Sequence, residues 1–312
     1  MLNASERTTA AGEPRERSAA ATQRAGERVR ASEARRPSVA GMRGVFAALV
    51  KRSAAQMRYV ALGSLMLTFA LQLVLVGQAV SIQESQSFAN MASLIPSFIG
   101  RGLGNGLPLL ASVKGTVMLG YFHPVLCVLI PAIAMYAATE PTHEIESGIV
   151  DLVLARSMPR ALVLTRSLTV AVLYALAAVS TMALGTYVGA WIFDAGRFDL
   201  PTPGLIARLL LHVFALSVCF AGYGLLVGAL SKRWATAFTT GVLTAVFTYL
   251  VDFLTLGWSV MHWAAYLSPY RYYHALAIAS GTVSEARDYA VLFGAAAAFT
   301  IAAYWQFQRR DL

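Results

Sequence analysis

The chain has 312 residues, a net charge of +9, only 13% charged residues and a mean hydropathy of +0.59. These values exclude a soluble globular protein, and several apolar runs are long enough to cross a bilayer, so the class is a polytopic membrane protein. The positive charge is expected from basic residues gathering on one face of such a protein, and no nucleic-acid partner is expected.

Residues 1–42 hold Arg, Ala, Ser and Glu with almost no large apolar side chain, and are expected to be a disordered tail. A solvated tail and a basic arm on anionic lipid are the two readings of it. A start of translation at Met42 is a third. From Arg43 to Arg58, Phe46, Leu49, Val50 and Met57 recur at helical spacing among basic residues. That pattern predicts a separate amphipathic helix lying in the headgroup layer.

The first span is predicted at 59–80. A polar connection follows to Lys114, in which Leu94–Gly100 has the pattern of a short surface helix. The second span is predicted at 116–138, where Pro124 and Pro131 should interrupt a straight rod. Neighbouring helices can satisfy the carbonyls such breaks release. Cys127 and Cys219 both fall inside apolar runs, where small packing residues are expected rather than a disulfide.

The longest polar interruption that still reads as helix comes next, Glu144 to Arg160. Ile145, Ile149, Leu152 and Val153 form one apolar stripe, with Glu144, Ser147, Gly148 and Asp151 opposite it. A short amphipathic surface helix is predicted, ending near Arg156, with Pro159 starting the next helix.

This stretch resembles the cytoplasmic coupling helix of type-2 ATP-binding-cassette (ABC) exporter permeases. Glu146-Ser147-Gly148, Leu154-Ala155-Arg156 and Arg160 follow the family pattern. Ile149 stands where that pattern has Thr, Ser157 where it has Pro, and Arg166 where it has Lys. Phe122-His123-Pro124, Leu267-Ser268-Pro269-Tyr270 and the ending Phe307 to Leu312 are also similar to the family. The resemblance implies an all-α permease domain over 43–312 that pairs with a second permease subunit, its own copy or a related chain. It also implies two copies of a separate ABC ATPase docked on the coupling helices. Glu144, Glu146, Gly148, Asp151, Arg156 and Arg160 would then form the ATPase-coupling surface. ATP and Mg would sit on the partner and no cofactor on this chain.

The third span is predicted at 162–193, the fourth at 205–230, the fifth at 234–256 and the sixth at 289–307. The segment 257–287 carries Trp258, Trp263, Tyr266, Tyr270, Tyr272 and Tyr273, a density typical of the interfacial layer. It is predicted to form one or two short helices there. Six spans put both termini on one side. That side carries 19 of the Lys and Arg residues against 6 on the other, which places the termini and the Glu144–Arg160 stretch in the cytoplasm, with the protein multi-pass in the cytoplasmic membrane.

Sites of chemistry are few. The three lysines, Lys51, Lys114 and Lys232, lie outside any Gly-x-x-x-x-Gly-Lys loop, so no ATP site of its own is expected. No zinc-hydrolase spacing or Gly-x-Ser-x-Gly elbow occurs, so no metal site and no enzyme are expected. Asp252 is the one acid within an apolar span, near its outer end, and is a candidate for the substrate path. His212 is either a ligand contact or a histidine hydrogen-bonded between helices. Tyr174, Tyr187, Tyr223 and Tyr249 offer an apolar lining suited to lipid-like or amphipathic compounds. Gly185 with Gly189, and Gly224 with Gly228, have the spacing that lets helices approach closely, within the chain or across a dimer. The alternatives to an ABC permease are a secondary transporter, an intramembrane enzyme and a membrane anchor for another protein. Midplane charges with paired repeats would mark the first, and a constellation of ionisable residues the second.

Overall fold

The computed structural model describes residues 39–84, 112–148, 159–255, 262–280 and 284–309. The chain divides into two units, residues 1–49 and 50–312. The first contributes the opening turns of a helix, and the second holds the packed bundle. All regular elements among the described residues are helical, and six stretches are long and apolar enough to cross a membrane.

Helix α1 (Val39–Glu84) has 46 residues. The separate amphipathic helix expected at 43–58 is instead the beginning of this one. Ala54, Ala55, Gln56 and Met57 favour helix, and no Pro stands near Arg58 to stop it. At about 1.5 Å per residue α1 is roughly 69 Å long, over twice a hydrocarbon core of about 30 Å. Of the tail expected to be disordered over residues 1–42, residues 39–42 instead open α1; the rest of it and the helix expected at Leu94–Gly100 lie outside the described residues.

The second span is broken as its prolines demand. It consists of α2 (Val113–Leu119) and α3 (Pro124–Ala138). Ser112 caps α2, accepting from the Gly115 amide at 3.1 Å. Pro124 occupies the first position of α3, where its missing N–H costs nothing. Pro131 inside α3 cannot donate to the carbonyl of Cys127, and the Tyr270 hydroxyl donates to that oxygen at 3.1 Å. The Tyr273 hydroxyl donates to the Tyr121 carbonyl, at the break itself, at 2.6 Å.

Helix α4 (Glu140–Glu146) follows at once, then α5 (Arg160–Ile192), a 3₁₀ turn at Ala195–Arg197, α6 (Pro203–Leu230) and α7 (Trp234–Leu254). Short pieces come next: α8 (His262–Ala265), a 3₁₀ turn at Pro269–Tyr272 and α9 (Ala275–Ser280). The chain's last helix is α10 (Glu285–Arg309). Among the described residues the aromatic segment thus holds three short helical pieces. Tyr270 and Tyr273 are buried against the broken span, so its tyrosines serve the bundle as well as the interface.

Helix α6 is the centre, packed by α3, α5, α7 and α10, and Leu209, Leu216 and Leu225 on it are fully buried. Among lipid tails apolar burial gives little preference for a neighbouring helix, so close approach holds the bundle. The four glycines provide it within the chain. A Cβ on Gly185 would stand 2.9 Å from the Phe69 carbonyl of α1, and one on Gly189 3.0 Å from Val76 Cβ. Gly224 seats α6 on Met135 of α3, and Gly228 seats it on Thr142 of α4. Leu243, Phe247 and Leu250 leave one face of α7 exposed, an apolar stripe suited to lipid.

Candidate functional site

One end of the bundle gathers the starts of α4, α5 and α7 with residues 52–57 of α1. Thr139 ends α3 and begins α4, and Pro141 fills the first turn of α4. The Thr142 hydroxyl donates to the Gly228 carbonyl at 3.0 Å, fastening α4 to the last turn of α6. Helix α4 stops at Glu146, earlier than the sequence pattern suggested. Gly148 has φ of +71°, a left-handed backbone that closes the helix. Glu144 to Glu146, expected to open an amphipathic helix running to Arg156, instead close the seven-residue α4, which starts earlier; the remainder of that expected helix, from residue 149, lies outside the described residues. Asp151, Arg156 and the Ile149, Leu152, Val153 stripe lie outside the described residues.

Glu140 and Glu144 are one turn apart on the same face of α4. Both reach Arg166, in the early turns of α5 and fully buried. Arg166 donates to both Glu144 oxygens, Nη1 to Oε1 at 3.0 Å and Nη2 to Oε2 at 2.9 Å. This is the two-pronged match of guanidinium to carboxylate. Arg52 of α1 approaches Glu144 at 3.8 Å, and Glu140 lies 3.7 Å from Arg166. Glu144 was expected on a water-facing acidic edge, yet it is buried. A buried cation on the adjoining helix draws it inward. Arg166 appeared in the sequence only as a departure from a family pattern; the signal that could have found the pair is two glutamates four apart at the end of one span and an arginine inside the apolar run of the next.

Glu146 is exposed, and its Oε2 accepts from the Trp234 backbone amide at 2.8 Å. It satisfies one of the free N–H groups at the start of α7. Ser147 is also exposed, its hydroxyl donating to the His143 carbonyl at 2.8 Å. Arg160 is the first residue of α5, with Pro159 as its cap. The Trp234 ring stacks on Phe238 with centroids 5.5 Å apart, and Tyr136 stands edge-on to it at 5.6 Å. A cavity of about 300 Å³ opens between α1, α3, α4 and Trp234. Burial pushes the Glu140 carboxyl above the usual glutamate value, with Arg166 pulling it back.

The other sequence candidates are dispersed. Asp252, in the last turn of α7, faces His274 at 3.7 Å. His212 of α6 is fully buried, and its Nδ1 lies 2.8 Å from both the Arg208 carbonyl and the Tyr289 hydroxyl of α10. That is a histidine joining helices. Tyr223, about three turns further along α6, shares a hydrogen bond with Thr244 at 3.1 Å and meets Phe299. Tyr174 shares one with Ser64 at 2.9 Å, and Tyr249 meets Tyr270. Tyr187 of α5 is exposed. Among the described residues no group of three His, Cys, Asp or Glu side chains could hold a metal ion.

Five apolar spans packed about a sixth, buried central one, with a short polar helix tied to three of them at one end, define a multi-pass membrane bundle. The family model described as "Multidrug efflux system permease Rv1217c, C-terminal domain" matches residues 110–308, and the chain belongs to that family. No curated protein matches it.

Proposed function

We propose that this chain is the membrane-spanning subunit of an ABC exporter in the cytoplasmic membrane, with both termini and α4 on the cytoplasmic side. Two copies of a separate ATPase dock against α4 and the stretch after it, and a second permease subunit completes the channel. ATP and Mg bind the ATPases. Closure of the ATPase pair pushes α4, and the push reaches the spans it is tied to.

The observation that carries this reading is the attachment of α4. Its buried Glu144 grips α5 through Arg166, Thr142 grips α6, and Glu146 holds the first amide of α7. A surface helix with no mechanical task needs no buried ion pair, whereas a lever does. The family's description, a multidrug efflux permease, supports export of amphipathic or lipid-like compounds. The scattered positions of Asp252 and His212 favour it over an ion-driven transporter.

The test is reconstitution of this chain in liposomes with its cognate ATPase. Efflux of an amphipathic dye should require ATP and both proteins. Efflux driven by a proton or sodium gradient, without ATPase, would overturn the proposal.

A further inference from the structure

The cavity at the α4 end has two unlike walls. Trp234 and Tyr136 form an aromatic one, edge to face. Glu140 and Ser53 belong to the other, and both are short of partners. Glu140 Oε1 and Ser53 Oγ are buried with no hydrogen-bond partner among the described residues. Ser53 stands close enough to Glu140 to favour its charged form, yet the two do not close a hydrogen bond of ordinary geometry. Buried polar atoms are nearly always satisfied, so two orphans beside one cavity call for an explanation.

The local charges point to the answer. Arg166 commits both terminal nitrogens to Glu144, and Arg52 also turns to Glu144. Glu140 is left with a single approach at 3.7 Å. An anion entering the cavity would meet Glu140, and no lysine or arginine among the described residues lines the cavity to receive it; the one basic ring there, His143, packs edge-on to Trp234 at 5.8 Å. A neutral apolar guest would bring no charge to balance the Glu140 carboxyl. A cation would neutralise the carboxyl and lie against the electron-rich faces of Trp and Tyr, the arrangement that recognises quaternary ammonium groups. The volume of about 300 Å³ is at the small end for ligand pockets, about 300–1,000 Å³. That fits a compact organic cation with one apolar ring.

We propose that this cavity binds small organic cations, quaternary or protonated amines, between the Glu140 carboxylate and the Trp234 and Tyr136 rings. As a substrate site it deepens the exporter reading and rests on it; as a binding site it stands alone. It also ties the guest to the lever, because Glu146 of α4 holds the backbone amide of the same Trp234 that lines the cavity. The raised Glu140 carboxyl has the matching property, since an arriving cation would favour its charged form.

Binding is measured without ATPase or ATP, so a failure of the transport reading does not affect the result. The full chain is placed in nanodiscs of phosphatidylglycerol, and benzyltrimethylammonium is titrated by equilibrium dialysis. Its uncharged carbon isostere, neopentylbenzene, is the comparison. The cation should bind at least about thirtyfold more tightly than the isostere, as expected for a buried charge pair. Glu140→Gln should weaken the cation by about as much and Trp234→Leu by about fivefold. Asp199→Asn, an exposed change, should leave the affinity as it was. Adding phosphatidylcholine to the discs separates two sources of the same chemistry. Unchanged affinity assigns the site to free cations, and weakened affinity assigns it to the lipid headgroup. Equal binding of cation and isostere by the unaltered chain would overturn the proposal, whatever the variants do. So would a Glu140→Gln protein that binds the cation within twofold of the original.

Discussion

Replacing Glu144 by Gln would leave Arg166 buried with its main counter-charge gone. The geometry sets the magnitude. Arg166 is fully buried and Glu144 nearly so, so solvent screens the pair little. Removing one partner of a buried pair costs about 3–5 kcal/mol, while replacing both with apolar side chains is often close to neutral. Glu140, 3.7 Å from Arg166, keeps part of the neutralisation, so the lower end, about 3 kcal/mol, is expected for Glu144→Gln. Arg166→Met should cost a similar amount, because the half-exposed Arg52 at 3.8 Å is a weak substitute. In a cycle built on Glu144→Leu and Arg166→Met, the double variant should cost far less than the sum of those two single variants, giving a coupling of at least about 2 kcal/mol. The assay is reversible unfolding of the purified protein in mixed detergent and denaturing micelles. Single variants within about 0.5 kcal/mol of the original, or strict additivity, would refute the claim that this pair fastens α4 to α5.

Three further outcomes are expected. Tyr270→Phe should destabilise by about 1–3 kcal/mol, because it orphans the Cys127 carbonyl; adding Pro131→Ala should recover part of the loss by restoring a backbone donor, read by the same unfolding assay. For Glu140, burial raises the carboxyl in the folded state, so its contribution to stability is present below the ordinary glutamate range, about 4.3, and is lost as pH rises through the raised value; Glu140→Gln should therefore match or exceed the original in stability at pH 8 and lose that advantage in acid. Glu146→Lys should spare folding, since it removes one exposed helix-start contact worth about 1 kcal/mol, yet reduce recovery of the ATPase in pull-downs by roughly thirtyfold, the cost of reversing an interface charge contact.

The span count was legible because twenty-residue apolar runs have few soluble rivals, and the prolines at 124 and 131 announced the break in the second span. The partners of that break were not legible. Nothing in the spacing of Tyr270 and Tyr273 says that their hydroxyls reach carbonyls some 150 residues away. The continuity of α1 was missed for a different reason. A change from amphipathic to apolar pattern marks where a helix meets the membrane, and a helix needs no break there. At the α4 end, the sequence marked Glu144 and Glu146 as a pair of surface acids. The fold gives them opposite tasks, one buried on Arg166 and one on the Trp234 amide. Periodicity assigns a residue to a face, but a buried cation on the next helix can reverse which face is inside. The cavity was invisible for the same reason: Met57, Tyr136, Glu140 and Trp234 come from separate elements, and only packing brings them together.

The central claim is that α4 is where the ATPase docks. A photo-reactive phenylalanine analogue at Ser147, exposed just past the end of α4, tests it directly in cells making this chain and its ATPase together. The same group at Trp191, exposed near the far end of α5, is the positional control. On irradiation the Ser147 variant should yield an adduct with the combined mass of permease and ATPase, and the Trp191 variant should yield none. An adduct from Trp191 and none from Ser147 would place the ATPase at the opposite end of the bundle and contradict the account.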